Sequence, residues 1–416
     1  MSRGLKMIVS VMWALGSYFF VAAQNRSLSY YLQQGLTNSP LLKDYQHQLK
    51  VGALDSSLIR AAHRPQVLAN GQVMVAPTFH GYGYDVAITN GGNYAAVVSA
   101  SQPLFTKHIL APQYRGIALQ NLSTSNTAQI SKLDIKKNIT AGYITGYADY
   151  QQLLSNEEVY DLLQTQQEIL QKLVQTGSYK QTDYLNFKVA LQSQEITISQ
   201  LRMQYKADIA ALNYLCGIND TGSVSLNAPE IYSINNNGDK TSSVFFKRFR
   251  IDSLKIINDK ALTDAKYKAS LNWFADAGFE ASDPGILYKS FGTSFGLNLS
   301  VPIYDGKQRD LEYQKNKLTE STREDYAAFF NNQYDQQRAM LEQQLHASEH
   351  LVTQIKEKLS DSRLLMKLDK AQLNTGDLRI TDYIMAINNY LSIKNNLNQE
   401  EINRFLLINQ LNYWKH

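Results

Sequence analysis

Apolar residues recur at every second position over residues 271–281. Leu271, Trp273, Ala275, Ala277, Phe279 and Ala281 are interleaved with Asn272, Phe274, Asp276, Gly278 and Glu280. A period of two places alternate side chains on opposite faces, so this pattern predicts a β-strand with one apolar and one largely polar face. The segment "EASDPGILYKSFG" then supplies turn residues. A second alternating run follows, with Phe295, Leu297, Leu299 and Val301 set against Gly296, Asn298 and Ser300. Beyond Gly306 the pattern changes. No glycine or proline occurs until Gly376, and Leu341, Leu345, Val352, Ile355 and Leu359 recur at the spacing of a coiled-coil seam. A single helix through this stretch, rising 1.5 Å per residue, would be roughly 100 Å long.

The same order occurs earlier in the chain at a fixed offset. "SQPLF" at 101–105 pairs with "SVPIY" at 300–304, which matches Pro103 to Pro302. "TGSYKQTDY" at 176–184 pairs with "TGDLRITDY" at 375–383, and "LNY" recurs at 212–214 and 411–413; all three anchors are 199 residues apart. Anchors in one register point to a tandem duplication. The chain divides accordingly: 1–23 a leader, 24–216 a first repeat of helix, two strands, long helix and helix, 217–243 an irregular Asn-, Gly- and Ser-rich connector, and 244–416 a second repeat. The strands of the first copy, in "QVLANGQVMVAPTFHGYGY" and "AAVVSASQP", alternate less cleanly. Pro112, Gly116, Gly142 and Gly146 lie along its long helix and predict that this helix is interrupted or curved. Tyr82, Tyr84, Tyr94, Tyr288 and Phe291 fall near strand ends, either as an interfacial girdle or as ordinary strand aromatics.

Composition narrows the class. With 44% hydrophobic and 19% charged residues, the 416-residue chain is neither disordered nor a polytopic helical membrane protein. A formal charge of +4 without a basic stripe gives no reason to expect nucleic acid. Arg3 and Lys6 precede the apolar run "MIVSVMWALGSYFFVAA", and Val21-Ala22-Ala23 suits signal-peptidase cleavage, so export is expected. No later run is long and apolar enough for a transmembrane helix, whereas β-barrel strands need only about ten alternating residues each. Two strands per repeat give four per chain, and a sheet in lipid cannot leave its edges open. Two chains would supply about eight strands around a filled interior, and three about twelve around a lumen. A homotrimeric conduit follows if the strands lie in a membrane.

Candidate chemistry is sparse. Gly292-Thr293-Ser294-Phe295-Gly296 matches the G-x-S-x-G pattern of many serine hydrolases, but that mechanism needs a sharp strand-to-helix turn, and Ser294 is expected within a strand. Cys216, the one cysteine, has apolar neighbours and reads as a packed thiol. One cysteine and seven scattered histidines build no Cys/His zinc set. No catalytic, cofactor or metal residue is assigned.

Taken together, these segments resemble the TolC-like outer-membrane efflux proteins of Gram-negative bacteria. "LSYYLQQGLTNSPLLKDY" at 28–45 is similar to the family's N-terminal segment, "LNLSVPIYDGKQRD" to its strand-to-helix corner, and the two "TG" segments to its helical-hairpin tips. The resemblance implies an α+β membrane protein whose trimer joins four strands per chain in a 12-stranded barrel, with long coiled-coil helices forming a periplasmic tunnel. It also implies an exit duct of a tripartite efflux or type I secretion system in the outer membrane. The implied partners are a periplasmic adaptor, an inner-membrane transporter, outer-membrane lipid, and exported small molecules or polypeptides. Thr176, Gly177, Ser178, Thr375, Gly376 and Asp377 would dock the adaptor, Pro103, Pro302 and Gly306 would form the strand-helix corners, and Asp183 and Asp382 would stand at the periplasmic entrance. The two aspartates could equally serve only to start the returning helices. Where several relatives carry a further aspartate, this chain has Met385, which argues against cation gating by an acidic ring. An exported coiled-coil scaffold with a small β-domain is the alternative.

Overall fold

The computed structural model describes residues 24–77, 79, 81–83, 92–220, 222, 224–234 and 240–415. The expected leader and Tyr84 lie outside the described residues. In chain order the elements are β1 (Gln24–Arg26), α1 (Leu28–Asn38), α2 (Pro40–Ala62), β2 (Gln66–Val75), β3 (Gly92–Leu104), α3 (Lys107–Gln175), α4 (Gln181–Cys216), β4 (Val224–Leu226), α5 (Val244–Lys266), β5 (Ser270–Ala281), β6 (Phe291–Ser300), α6 (Gln308–Thr375) and α7 (Ile380–Trp414). Two strands, a long helix and a shorter helix thus follow one another twice. No described helix is long and apolar enough to cross a membrane.

Contacts divide the chain into two compact units. One is built from Lys43–Ile130 and Asp239–Asn331, the other from the described parts of Met1–Leu42, Ser131–Gly238 and Asn332–His416. The first unit holds an antiparallel sheet in the order β2-β3-β5-β6. Two hairpins are joined through β3 and β5, with Leu104 opposite Leu271 and Tyr94 opposite Ala281. Helix α5 packs beside the start of α3 here, where Asn258 donates to the Pro112 carbonyl at 3.0 Å and Asn126 to the Val244 carbonyl at 3.0 Å.

The second unit holds three clusters of buried side chains. Tyr31, Ile139, Tyr143, Leu153, Ile198, Tyr205, Ile209, Leu212 and Cys216 form one cluster with Val224 and Leu226. Leu341, Leu407 and Leu411 form another, with Leu345 against it, so the heptad seam read in α6 packs on α7. A third cluster, around Phe187, Leu373, Ile380 and Tyr383, underlies the helical turns described below. The connector contains an ordered piece. Strand β4 pairs in parallel with β1, and the buried Tyr143 hydroxyl reaches the carbonyls of Arg26 at 3.0 Å and Asn227 at 2.8 Å.

Of the two expectations for the first long helix, interruption or curvature, the interruption is absent: α3 is one α-helix of 69 residues. Pro112 lies near its start, where one missing N–H removes a single hydrogen bond from a very long ladder. The glycines answer to packing. A Cβ on Gly116 would lie 3.2 Å from Asn258 Nδ2, one on Gly142 3.4 Å from Leu212 Cδ1, and one on Gly146 3.3 Å from Leu226 Cδ1. Each marks a close approach of a neighbour. The helix tolerates their backbone entropy, about 1 kcal/mol per glycine, because tertiary contacts hold it.

Candidate functional site: a two-faced sheet and paired helical turns

Residues directly opposite in a sheet project to the same side, so the register sorts the side chains. One face carries the row Val67, Ala100, Ala275, Phe295, followed by Ala69, Val98, Ala277, Thr293 and by Gly71, Ala96, Phe279, Phe291. Leu104, Leu271 and Leu299 continue it, as do Gln102, Trp273 and Leu297, and the Trp273 indole N–H donates to the Gln102 side-chain oxygen at 3.3 Å. This face carries no charged side chain and is bare within one chain, with Phe295 89% exposed. Tyr94 and Phe291 of the aromatic set belong to it, and Phe279 and Phe291 stack edge to face at 5.3 Å.

The opposite face carries Leu68, Ser99, Asp276, Ser294 in one row and Gln66, Ser101, Phe274, Gly296 in the next. Asn272 stands opposite Asn298 and Ser270 opposite Ser300. The polar set read from alternation therefore does share one side. Ser294 lies in mid-strand and donates to Asp276 Oδ2 at 3.1 Å, which is a cross-strand pair and not a nucleophile on an elbow. Among the described residues, β2 and β6 each pair along one edge only.

At the corners, Pro103 is the penultimate residue of β3, opposite Asn272, whereas Pro302 follows the end of β6. Gly306 has φ +65° and leads into α6 through Lys307, at φ +69°. Asp305 caps that start by accepting from the backbone N–H of Lys307 and of Arg309, each at 2.9 Å. The first corner uses Phe105 at φ +53°. Sequence reading missed it, because a phenylalanine carries no signal for left-handed backbone.

The two helical turns are built alike. Gly177 and Gly376 have φ of +79° and +86°, where a side chain would be strained. In the first turn Ser178 N donates to the Leu173 carbonyl at 2.9 Å, and in the second Asp377 N donates to Gln372 at 3.0 Å, closing the last helical turn in the Schellman manner. Thr176 and Thr375 place their hydroxyls 3.0 Å from the carbonyls of Leu173 and Gln372. The Thr375 hydroxyl is also 2.7 Å from an Asp377 carboxylate oxygen. All six of these turn residues, 176–178 and 375–377, are exposed.

Both aspartates after the turns take local partners. Asp183 accepts from the Lys180 backbone N–H at 3.2 Å, at the start of α4. Asp382 forms a forked pair with Arg379, at 2.9 and 3.2 Å, at the start of α7. Carboxylates are favoured at helix N-termini, so each stabilises its returning helix. That role for the aspartates is one that the sequence left open; the Arg379 partner, three residues before Asp382, is the part that sequence reading missed. Tyr179 was also overlooked; its hydroxyl reaches out of the first turn to the carbonyls of Leu378, at 2.7 Å, and Leu373, at 3.1 Å. Its pKa is raised by burial and by Asp183 and Asp377. Beneath the turns, burial pushes the Tyr383 phenol up to about 12.

No family model matches the sequence, and no curated protein matches it. Solved structures do match nearly the whole chain. It superposes on CusC, described in connection with transmembrane channel formation, with a TM-score of 0.74 at 13% identity, covering 94% of this chain and 92% of CusC. The CmeC outer-membrane channel of Campylobacter jejuni gives 0.73 at 14% identity, covering 93% and 85%, and the outer-membrane protein VceC of Vibrio cholerae 0.73 at 13%, covering 93% and 95%. The fold is thus the one expected from the sequence: that of the TolC-like outer-membrane channels, with long helices and a smaller sheet.

Proposed function

We propose that three copies of this chain form a channel-tunnel in the outer membrane of a Gram-negative cell, with the helices in the periplasm. It would act as the exit duct of a tripartite efflux or type I secretion system. The observation that carries this reading is the sheet register, which gathers an uncharged apolar face on a four-stranded sheet with two open edges. Lipid can cover such a face, but it cannot satisfy the backbone groups of the edges, so the sheet must be closed by further copies. Three copies give about twelve strands, enough to leave a lumen lined by the polar face. The matched solved structures, described in connection with transmembrane channel formation and as an outer-membrane channel, support the channel reading.

In this reading the chain performs no covalent chemistry, and energy comes from an inner-membrane transporter coupled through a periplasmic adaptor. The exposed turns at 176–178 and 375–377 are the docking surface for that adaptor, and Asp183 and Asp382 lie near the periplasmic entrance. Because Arg379 neutralises Asp382 and residue 385 is methionine, Asp382 does not act as a free anionic gate. The two copies of strand, strand, helix and helix descend from the tandem duplication.

The deciding experiment purifies the full chain from membranes and measures its mass in detergent and its conductance in planar bilayers. A detergent-dependent trimer that opens ion-conducting pores is expected. A water-soluble monomer would reject the channel in favour of an exported scaffold.

A further inference from the structure

The four strand-helix junctions meet at one end of the sheet, since Gln66 pairs with Ser101, Leu104 with Leu271 and Ser270 with Ser300. Each junction carries a cation: Arg64 before β2, Lys107 after β3, Lys266 and Lys268 before β5, and Lys307 after β6. Their side chains are exposed, and among the described residues none of the five forms an ion pair. The nearest carboxylates are held by protein donors. Asp305 caps α6, Asp264 accepts from Arg309 at 2.7 Å and from the Tyr313 hydroxyl, and Asp310 accepts from Gln314 at 3.0 Å. The opposite end of the sheet has no such excess: its connections, 76–91 and 282–290, set one lysine, Lys289, against Asp85 and Asp283.

Between the strand ends and these cations the chain exposes apolar side chains. Phe105 is 80% exposed and Tyr304 85%, and they stand 199 residues apart, so the two copies put an aromatic ring at matching corners. Ile303 is exposed beside Tyr304. Lys266, Tyr267, Gln308, Leu311, Glu312 and Lys315 line a recess of about 390 Å³ between the end of α5 and the start of α6. Glu312 is matched there by Lys315 at 3.7 Å, which leaves Lys266 as the unmatched charge of the recess. Going along the chain from the sheet, the order is thus apolar face, exposed rings, then unpaired cations. A lipid leaflet presents the complementary order: acyl chains, the headgroup boundary where aromatic rings sit, then phosphates that attract lysine and arginine. An anion free in water would gain nothing from Phe105, Ile303 and Tyr304. We propose that this end of the sheet is a binding collar for anionic phospholipids of the leaflet that faces the helices, an inference that rests on the channel reading, with Arg64, Lys107, Lys266, Lys268 and Lys307 holding the headgroups.

Trp273 lies on the apolar face near this end of the sheet, close to the start of β5, so its fluorescence reports the lipid beside the junctions. The test reconstitutes the full chain in phosphatidylcholine vesicles, with Trp414→Phe removing the only other tryptophan outside the leader. Brominated phosphatidylglycerol should quench Trp273 at a several-fold lower mole fraction than brominated phosphatidylcholine, and the preference should shrink as salt screens the charges. Neutralising the five cations together as glutamine should bring the two lipids to equal quenching, whereas arginine at the four lysines, with Arg64 kept, should preserve the preference. Inorganic phosphate should weaken it no more than chloride of the same ionic strength. Equal quenching of the wild type by both lipids, survival of the preference in the neutral variant, or specific displacement by inorganic phosphate would each overturn the inference and leave the channel reading standing. Absence of quenching by either lipid would overturn both.

Discussion

The Tyr179 hydroxyl donates to the Leu378 carbonyl at 2.7 Å, so the turn that ends one long helix is tied to the turn that ends the other. The two residues are 199 positions apart, the same offset that relates the sequence repeats. The bond thus links matching places in the two copies, and only one copy has the phenol. Tyr179→Phe keeps the packing and removes the donor, a loss of about 0.5–1.5 kcal/mol. Amide exchange over residues 373–380 should accelerate, while exchange in β3 and β5 stays as in the wild type. Unchanged exchange at 373–380 would mean that the bond contributes nothing.

The two faces of the sheet predict opposite tolerance at neighbouring residues. Phe295→Arg would put a charge on the lipid side, at a cost of about 2–4 kcal/mol near the bilayer midplane. Ser294→Arg would place the same side chain on the wet side, beside Asp276. Membrane-inserted, heat-resistant oligomer should fall sharply for the first and remain for the second. Equal assembly of the two would contradict the assigned faces.

The turns separate folding from docking. Gly177 and Gly376 have open space around the position of a Cβ, so valine meets only the left-handed backbone, costing roughly 1–2 kcal/mol at each site. That is small beside the buried clusters. The double variant Gly177→Val, Gly376→Val should reach the outer membrane at normal levels yet fail to export, measured as cargo accumulation in cells. Normal export would place the adaptor surface elsewhere.

A pH effect follows from Asp149, on α3. Burial, and after it the neighbouring Asp208 carboxyl on α4, pushes its pKa up to about 7 from an ordinary 3.8. The folded state therefore binds the proton more tightly than the unfolded chain. This contribution to stability is present at low pH and is lost as pH rises from about 4 through 7. Asp149→Asn keeps a neutral side chain at every pH. Its melting temperature should exceed that of the wild type at pH 8, with the difference shrinking toward pH 5. A constant difference between the two pH values would exclude this residue as the cause.

What the sequence alone determined is what local periodicity encodes. Alternation at 271–281 and 295–301 gave the strands and their faces, because each side chain's preference for lipid or water is set by its own polarity. The stretch from 307 to 375, free of glycine and proline, gave the long second helix, and the two Thr-Gly pairs gave its end and that of α3, because left-handed backbone selects glycine. Only the tertiary structure decided what depends on partners distant in the chain. The pairing of β3 with β5, which fuses the two copies into one sheet, is made by backbone groups that every residue carries, so no side chain announces it. The uninterrupted course of α3 depends on neighbours that press against Gly116, Gly142 and Gly146 from other segments. The Tyr179 to Leu378 bond likewise ends on a carbonyl, an acceptor that the sequence leaves unmarked.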